Sequence, residues 1–392
     1  MVVTVIADDL SGACDTGALF AGRRPVAVFV EPTLPGPDWL AAVIDTESRS
    51  LAADEASRRM RRTAAGLARR LTAGTIFKKI DSTFRGPIAV ELAALLDAVE
   101  ASAALVCPAF PAQRRTVLHG ALLVDGIPAH ETPVGLDPDY PATTSDLLDM
   151  LARGLGPRTA HRVSALPLKE VRGAAGDLAR ELGGRRGLIV ADAETDADLE
   201  SLAAAALSNR SLVLAGSAGL ARSVSVALGL ASAAVSCPAP GAWLIVAGSL
   251  HPATRAQIGA LMAAGVAGAM LSESGEAYLA PVIAALDQGR PAFIASHDGL
   301  DPSRERVAAT LANLACRALA ARPTIVAVTG GQTAHAFMHA WGAARLELVG
   351  APAPGLALGR LVADGGATLP LLTKAGGFGQ PDLYVTLARG AA

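Results

Sequence analysis

Short apolar, often β-branched runs that stop at small polar residues, each followed by a helix-like stretch, recur along nearly the whole chain. In the first half this rhythm predicts strands at Val2 to Ala7, Pro25 to Val30, Ala41 to Asp45, Thr75 through Lys78, Ala103 to Cys107, Thr159 to Val163, Gly187 to Ala191 and Ser211 to Leu214. Helices are predicted at Ala13 to Ala21, Ala52 to Leu71, Ile88 to Leu96, Leu168 to Leu182, Asp196 to Leu207, and from Ala215–Gly219 to Leu228. In the second half the strands are Trp243 to Ala247, Ala267 to Leu271, Pro291 to Ser296 and Thr324 to Val328. The helices there are Thr254 to Ala264, Glu276 to Leu286, Arg304 to Ala321 and one from Gln332. Alternation of this kind implies an α/β fold, with a mainly parallel sheet flanked by helices. Ligands of such folds gather beyond the C-terminal ends of the strands.

The rhythm breaks in three places. Glu31 to Asp38 is a Pro-rich loop, Val117 to Ile127 reads as a small hairpin, and Glu131 to Thr144 is irregular. Between Gly229 and Gly241 the chain is poor in charge and holds Pro238 and Pro240. We take 231–240 as a linker between a domain of residues 1–230 and one of residues 241–392. A chain of 392 residues is long enough for two domains of ordinary size.

Composition narrows the function classes. The chain is 51% hydrophobic with a formal net charge of −2, which favours a packed core and argues against nucleic-acid binding driven by bulk charge. The cysteines (Cys14, Cys107, Cys237, Cys316) are scattered and form no CxxC, so neither a zinc ribbon nor a disulfide framework is expected. The N-terminus reads as a strand rather than a signal segment, and no apolar run is long enough to span a membrane. A cytoplasmic location is the expectation. The six arginines of the 52–71 helix are read as a solvated face.

Lysine is rare: Lys78, Lys79, Lys169 and Lys374 are the only ones among 34 basic residues. A Lys-Lys pair at a strand end, in Lys78-Lys79-Ile80-Asp81-Ser82-Thr83-Phe84-Arg85-Gly86-Pro87, is therefore conspicuous. If the strand runs on through Asp81, Lys79 and Asp81 project to one side. Such a pair suits an acidic substrate whose hydroxyl is to lose a proton. Asp8-Asp9, with Asp15 nearby, offers carboxylates for magnesium or for base chemistry, beyond what an N-cap requires. Arg49, in Thr46-Glu47-Ser48-Arg49, is placed to grip a carboxylate in bidentate fashion.

Three further strand ends suit an anion. Gly248-Ser249 follows the first strand after the linker. Thr329-Gly330-Gly331-Gln332-Thr333 puts free backbone N–H groups at a helix start. Thr373-Lys374-Ala375-Gly376-Gly377-Phe378-Gly379 adds a lysine to flexible backbone, a pairing suited to polyphosphate. No GxxxxGK[ST] and no GxGxxG occurs, which disfavours a P-loop and a dinucleotide-binding oxidoreductase. His335 and His339 have i, i+4 spacing but lack the glutamate of HExxH.

Taken in order, these stretches resemble the motifs of the four-carbon acid sugar kinase family. Ala7 to Asp15 is similar to its ADDxTGAxD, and Lys78 to Gly86 to its KKxDSTLRG. Pro108 to Thr116 and Gly120 to Thr132 resemble its PAFP, GRT and GxPxxET region. Gly216 to Ala221 resembles GSxGLA, Gly330 to Ala334 GGxTA, Pro354-Gly355 a PG, and Lys374 to Gly379 KxGGFG. Arg114 departs from the pattern where the family has Gly, and Phe84 where it has Leu.

The resemblance implies an N-terminal sugar-acid domain, a C-terminal ATP domain and an active site in the cleft between them. It implies phosphorylation of the 4-hydroxyl of threonate, erythronate or a 3-oxo-tetronate, with ATP and Mg2+. Asp8, Asp9, Arg49, Lys79, Asp81, Ser82 and Arg85 would meet the sugar acid, with Asp9, Lys79 and Asp81 catalytic. Ser249, Gly330, Gly331, Gln332, Thr333, Gly355, Lys374, Gly376 and Gly377 would meet the nucleotide; the metal ligands stay unassigned. Expected partners are these small molecules and a possible second copy of the chain. The rival readings are a sugar-acid-binding regulator without turnover and a two-domain NAD(P)-dependent oxidoreductase.

Overall fold

The computed structural model describes residues 2–22, 24–30, 39–71, 74–137, 140–157, 160–209, 211–231, 235–237, 239–272, 278–297 and 304–389. The Pro-rich loop 31–38, Glu276, and parts of the expected linker and irregular segment lie outside them. The chain divides into two compact units, one of residues 1–23 and 29–231, the other of residues 24–28 and 232–392. No helix among the described residues is long and apolar enough to cross a membrane.

In the first unit, seven strands pair in the order Ala41–Asp45, Val3–Ala7, Thr75–Lys79, Leu212–Gly216, Ala103–Cys107, Gly187–Ala191, Val163–Leu166, all parallel. Val3–Ala7 and Ala103–Cys107 are buried at every position, as strands covered on both faces are. A small antiparallel sheet, Arg115–Leu118, Ala121–Val124 and Ile127–Pro128, replaces the expected hairpin. The buried Asp192 carboxylate anchors it, accepting the His119 and Gly120 amides at 3.0 and 2.8 Å.

Several boundaries differ from expectation for local reasons. The first helix is Leu10–Leu19, three residues earlier than predicted, because the Asp9 side chain caps it by accepting Gly12 N–H at 2.9 Å. The expected 168–182 helix is two, Leu168–Val171 and Ala175–Gly184, separated at Arg172-Gly173-Ala174. Asp196–Leu207 begins where predicted, on a capping box between Thr195 and Asp198. An additional helix, Leu147–Leu155, is capped by Asp146.

In the second unit, Ala267–Met270, Ala292–Ala295, Trp243–Ala247, Ile325–Thr329 and Thr368–Lys374 pair in parallel in that order. Leu356–Ala363 and Ala343–Gly350 then continue the sheet antiparallel, and Val26 to Val28 pair antiparallel with Leu346 to Leu348. That last strand comes from sequence inside the expected first domain. The core packs Trp243, Ile245, Phe293, Leu372 and Tyr384 together. The architecture is α/β, with mainly parallel sheets flanked by helices.

Candidate active site

The site of the first unit lies at the C-terminal ends of three adjacent strands. Ala7 pairs with Asp45, and Ile6 with Lys78, so Asp8-Asp9, Thr46 to Arg49 and Lys79 to Gly86 leave one edge together. Backbone bonds hold the first two loops in register: Thr46 N–H donates to the Ala7 carbonyl, and Ser48 and Arg49 N–H to that of Asp8.

Arg49 is the hub. Its Nε and Nη2 donate to the two Asp8 oxygens at 2.9 and 2.8 Å, and its Nη1 and Nη2 to those of Asp9 at 2.8 Å each. The guanidinium expected to grip a substrate carboxylate therefore grips two carboxylates of its own chain. Asp9 caps the helix, as one of the readings expected, and also joins this cluster. Asp8 is buried, and burial alone raises a carboxyl; Arg49, Lys78 and Lys79 outweigh it and hold Asp8 below its ordinary range. Gly86, at φ 103, lies over the pair: a Cβ there would stand 3.3 Å from Arg49 Cγ and 3.5 Å from Asp8 Oδ2.

The two lysines part ways, as neighbours on a strand must. Lys78 points inward, fully buried, and its Nζ lies 3.0 Å from Glu91 Oε2 on the Ile88–Val99 helix. Glu91 also accepts the Ser48 hydroxyl. Lys79 stays at the site: its Nζ donates to the Ile80 carbonyl at 2.8 Å and adds to the field at both Asp8 and Asp81. The condition set for Asp81 is not met. The strand stops at Lys79, and Asp81 stands in the turn that follows, where it accepts from Thr83 N–H at 3.2 Å and from the Thr83 hydroxyl.

Arg85 donates to both Asp81 oxygens, at 2.8 and 3.2 Å, and to Asp137 at 3.2 Å. Burial works to raise the Asp81 carboxyl, but Arg85, Arg49 and Lys79 hold it well below the usual range. Ser82 sits half-buried in the same turn. A cavity of about 190 Å³ opens beside it, lined by Thr83, Phe84, Arg85, Tyr140, Ser145 and Met150 among others. Phe84, one of the two departures, takes φ 63, and Arg114, the other, takes φ 54; both are left-handed conformations.

In the second unit, the expected nucleotide residues also meet at one sheet edge. Ala247 pairs with Thr329 and Thr329 with Lys374, so Gly248-Ser249, Gly330 to Thr333 and Ala375 to Gly379 emerge side by side. Gly330 has φ 99 and carries no side-chain cap, leaving the N–H groups of the Gly331–Trp341 helix available. Gly376 lies against Ser249, where a Cβ would clash with the Ser249 Oγ. Gly377 lies over the His251 ring, and Gly355 is tied in by its carbonyl, which accepts Ala375 N–H at 3.0 Å. Gln332 is exposed on the first helical turn, and Thr333 is buried against Gly248.

Lys374 is placed differently from a phosphate-gripping lysine. Its Nζ is buried and donates to the carbonyls of Ala375, Gly376 and Phe378 at 3.0, 3.1 and 2.9 Å. Burial brings the amine down to about 8. Gln257 Nε2 reaches the carbonyls of Phe378, Gly379 and Gln380 from the other side. Lysine and glutamine together fold the glycine loop.

Three groups escaped the sequence reading. Glu91 lies in an unremarkable helical stretch, and only the fold brings it to Lys78 and Ser48. Gln257 is likewise an ordinary helix residue by sequence. Arg115 carries no role in the motif reading, although it is half-buried and lies within the field of Asp81 and Arg85.

The geometry agrees with what the chain is similar to. A sugar-binding N-terminal domain model matches residues 3–224, and a nucleotide-binding C-terminal domain model residues 244–384. A D-threonate kinase of Bordetella bronchiseptica is 34% identical, covering 99% of this chain and 96% of its own. A 3-oxo-tetronate kinase of Methylobacterium radiotolerans is 31% identical, covering 97% and 96%. A solved protein of Salmonella typhimurium LT2 superposes with a TM-score of 0.81 at 22% identity, over 99% of this chain and 98% of that one, a likeness of fold. A Bordetella bronchiseptica protein solved with bound citrate as a domain-swapped dimer is 31% identical, with a TM-score of 0.50 over 99% and 98%. Both halves match in the order of the motifs and at near-full length, and the chain belongs to the four-carbon acid sugar kinase family.

Proposed function

We propose that this chain transfers a phosphoryl group from ATP to the 4-hydroxyl of a four-carbon sugar acid: threonate, erythronate or a 3-oxo-tetronate. The observation that carries this reading is the cluster of Asp8, Asp9, Arg49, Lys79, Asp81 and Arg85 at one sheet edge. It gathers carboxylates that can accept from hydroxyl groups within a field of cations that suits an anionic ligand. The relatives named for such kinases, and the citrate bound by one neighbour, support a hydroxy acid as ligand.

Phosphoryl transfer depends mainly on positioning and on neutralising charge. Asp81 and Asp9 orient the acceptor hydroxyl and take its proton late in the reaction; the low affinity of Asp81 for protons suits an acceptor of hydrogen bonds more than an early base. Lys79 and Ser82 meet the acid and its hydroxyls. Across the proposed boundary at 231–240, Gly330 to Thr333, Ser249, Gly355, Gly376 and Gly377 hold the phosphates through backbone N–H groups. Lys374 shapes that loop. Among the described residues no group of three or more His, Cys, Asp or Glu is built to hold a metal. Magnesium would accordingly arrive on the nucleotide, bound mainly by phosphate and water, and its chemistry is charge neutralisation. A homodimer is the proposed assembly, by analogy with the domain-swapped neighbour.

The test is ADP formation by the purified chain over a panel of four-carbon acids with ATP. Saturable turnover with at least one acid is expected. A rate no higher than the enzyme-free control with every acid refutes the reading.

A further inference from the structure

We infer that Arg115 is the side chain that receives the carboxylate of the sugar acid. The inference rests on the substrate class proposed above and follows from a census of cations around Asp81.

Arg49 spends four hydrogen bonds on Asp8 and Asp9. Arg85 is divided between Asp81 and Asp137. Arg114 is exposed and faces Asp125 at 2.6 Å. Each of these guanidinium groups already has a carboxylate of the chain. Lys79 lies in the field of both Asp8 and Asp81. Arg115 differs from the other arginines of this group. Among the described residues its side chain makes one hydrogen bond, from Nη1 to the Gln113 carbonyl at 3.2 Å. Its Nε is buried and, among the described residues, has no partner.

A buried guanidinium N–H without an acceptor is costly, and proteins keep such groups where an absent partner will complete them. The surroundings do not compensate the charge. Burial pulls the Arg115 proton affinity down, and Arg85 opposes the help that Asp81 and Asp125 give. An incoming carboxylate would supply acceptors to Nε and a free Nη in the fork geometry arginine prefers.

The backbone holds the group ready. Phe110 and Arg115 exchange both backbone hydrogen bonds, at 2.8 and 3.2 Å, around the short 3-10 turn Pro111–Gln113. Arg115 then opens a strand of the small sheet, whose turn is tied to Asp192. A side chain on so fixed a base loses little freedom on binding. Asp81, with which Arg115 shares a field, is proposed to orient the acceptor hydroxyl, so the two would address opposite ends of a short acid.

Calorimetry without ATP tests this with D-threonate as probe, against wild type, Arg115→Met and Arg115→Lys. The dissociation constant is expected to rise about 10- to 100-fold in Arg115→Met, as loss of a charged hydrogen-bonding partner does. Arg115→Lys should recover part of it. The melting temperature of the ligand-free Arg115→Met protein should hold or rise, because an uncompensated buried charge is removed. D-threitol, which has the same skeleton without the carboxylate, should bind wild type and Arg115→Met equally. Unchanged affinity for D-threonate, equal losses for D-threonate and D-threitol, or a fall in ligand-free melting temperature accompanying the lost affinity would each overturn the assignment. Wild type that binds D-threonate in this way but forms no ADP refutes the kinase reading and leaves Arg115 standing. Wild type that turns D-threonate over while Arg115→Met binds it normally does the reverse.

Discussion

Replacing Glu91 by Gln removes one charge from a fully buried ion pair of the first unit and changes almost nothing else. Lys78 Nζ and Glu91 Oε2 are 3.0 Å apart with both side chains 0% exposed. Among the described residues neither atom has another hydrogen-bond partner, so the pair is held mainly by a Coulombic attraction that solvent does not shield. Burial pushes the Glu91 carboxyl up, Lys78 pulls it down, and Asp8 adds to the rise. Glutamine keeps the shape and can still accept the Ser48 hydroxyl, but it takes from the Lys78 ammonium its contacting counter-charge and leaves only the field of Asp8. Breaking a buried pair from one side costs about 3–5 kcal/mol. For a unit of this size that corresponds to a fall of roughly 6–20 °C in its melting temperature. The double variant Lys78→Met with Glu91→Leu, which replaces the pair by apolar groups of similar volume, should regain most of the loss. Urea unfolding followed by circular dichroism of wild type, Glu91→Gln and the double variant reads these values. A loss under about 1 kcal/mol in Glu91→Gln, or a double variant no better than the single, refutes the view that the pair is held by its charges.

Asp81→Asn should lower kcat by about 10²- to 10⁴-fold while the fold survives; near-normal ADP formation would take Asp81 out of the chemistry. The same variant should flatten the acid limb of stability. The Asp81 proton affinity is depressed in the folded protein, so its contribution is fully present above the ordinary 3.8 and is lost as pH falls through the folded value. A melting-temperature series from neutral to strongly acidic pH that is superimposable for both proteins refutes that coupling. Gly330→Ala forces φ 99 on a residue with a Cβ, at a cost of order 1–2 kcal/mol. It should weaken ATP binding in calorimetry more than it weakens binding of the sugar acid, and equal effects would count against a nucleotide role. At Arg114, φ 54 predicts the stability order Gly at least equal to Arg, and both above Val, since only the exposed contact to Asp125 is lost. A more stable Arg114→Val, measured by urea midpoint, refutes backbone conformation as the controlling factor there.

The strands at 41–45, 103–107, 187–191 and 243–247 are legible because each is a short apolar run that a buried parallel strand requires. The strand Val26–Val30 was equally legible, but not its partners: Val26 to Val28 pair with Leu346 to Leu348, more than three hundred residues on. Local pattern says that such a run is a strand and cannot say which sheet receives it. The strands between Ala343 and Lys374 are not among those predicted, because antiparallel pairing with mixed burial gives a weak periodic signal.

The candidate site divides in the same way. Strand alternation alone requires Lys78 and Lys79 to face opposite sides, and a polar stretch between strand and helix places Asp8, Arg49 and Asp81 at the ligand edge. Those placements follow from short-range geometry written into neighbouring residues. What the tertiary structure decided is which charges are already answered: Arg49 by two aspartates, Lys78 by Glu91, Lys374 by loop carbonyls, and Arg115 by none among the described residues. Each of those pairings except that of Lys374 joins residues more than ten positions apart, and electrostatic energy depends on distance in space and on burial, neither of which a linear sequence records.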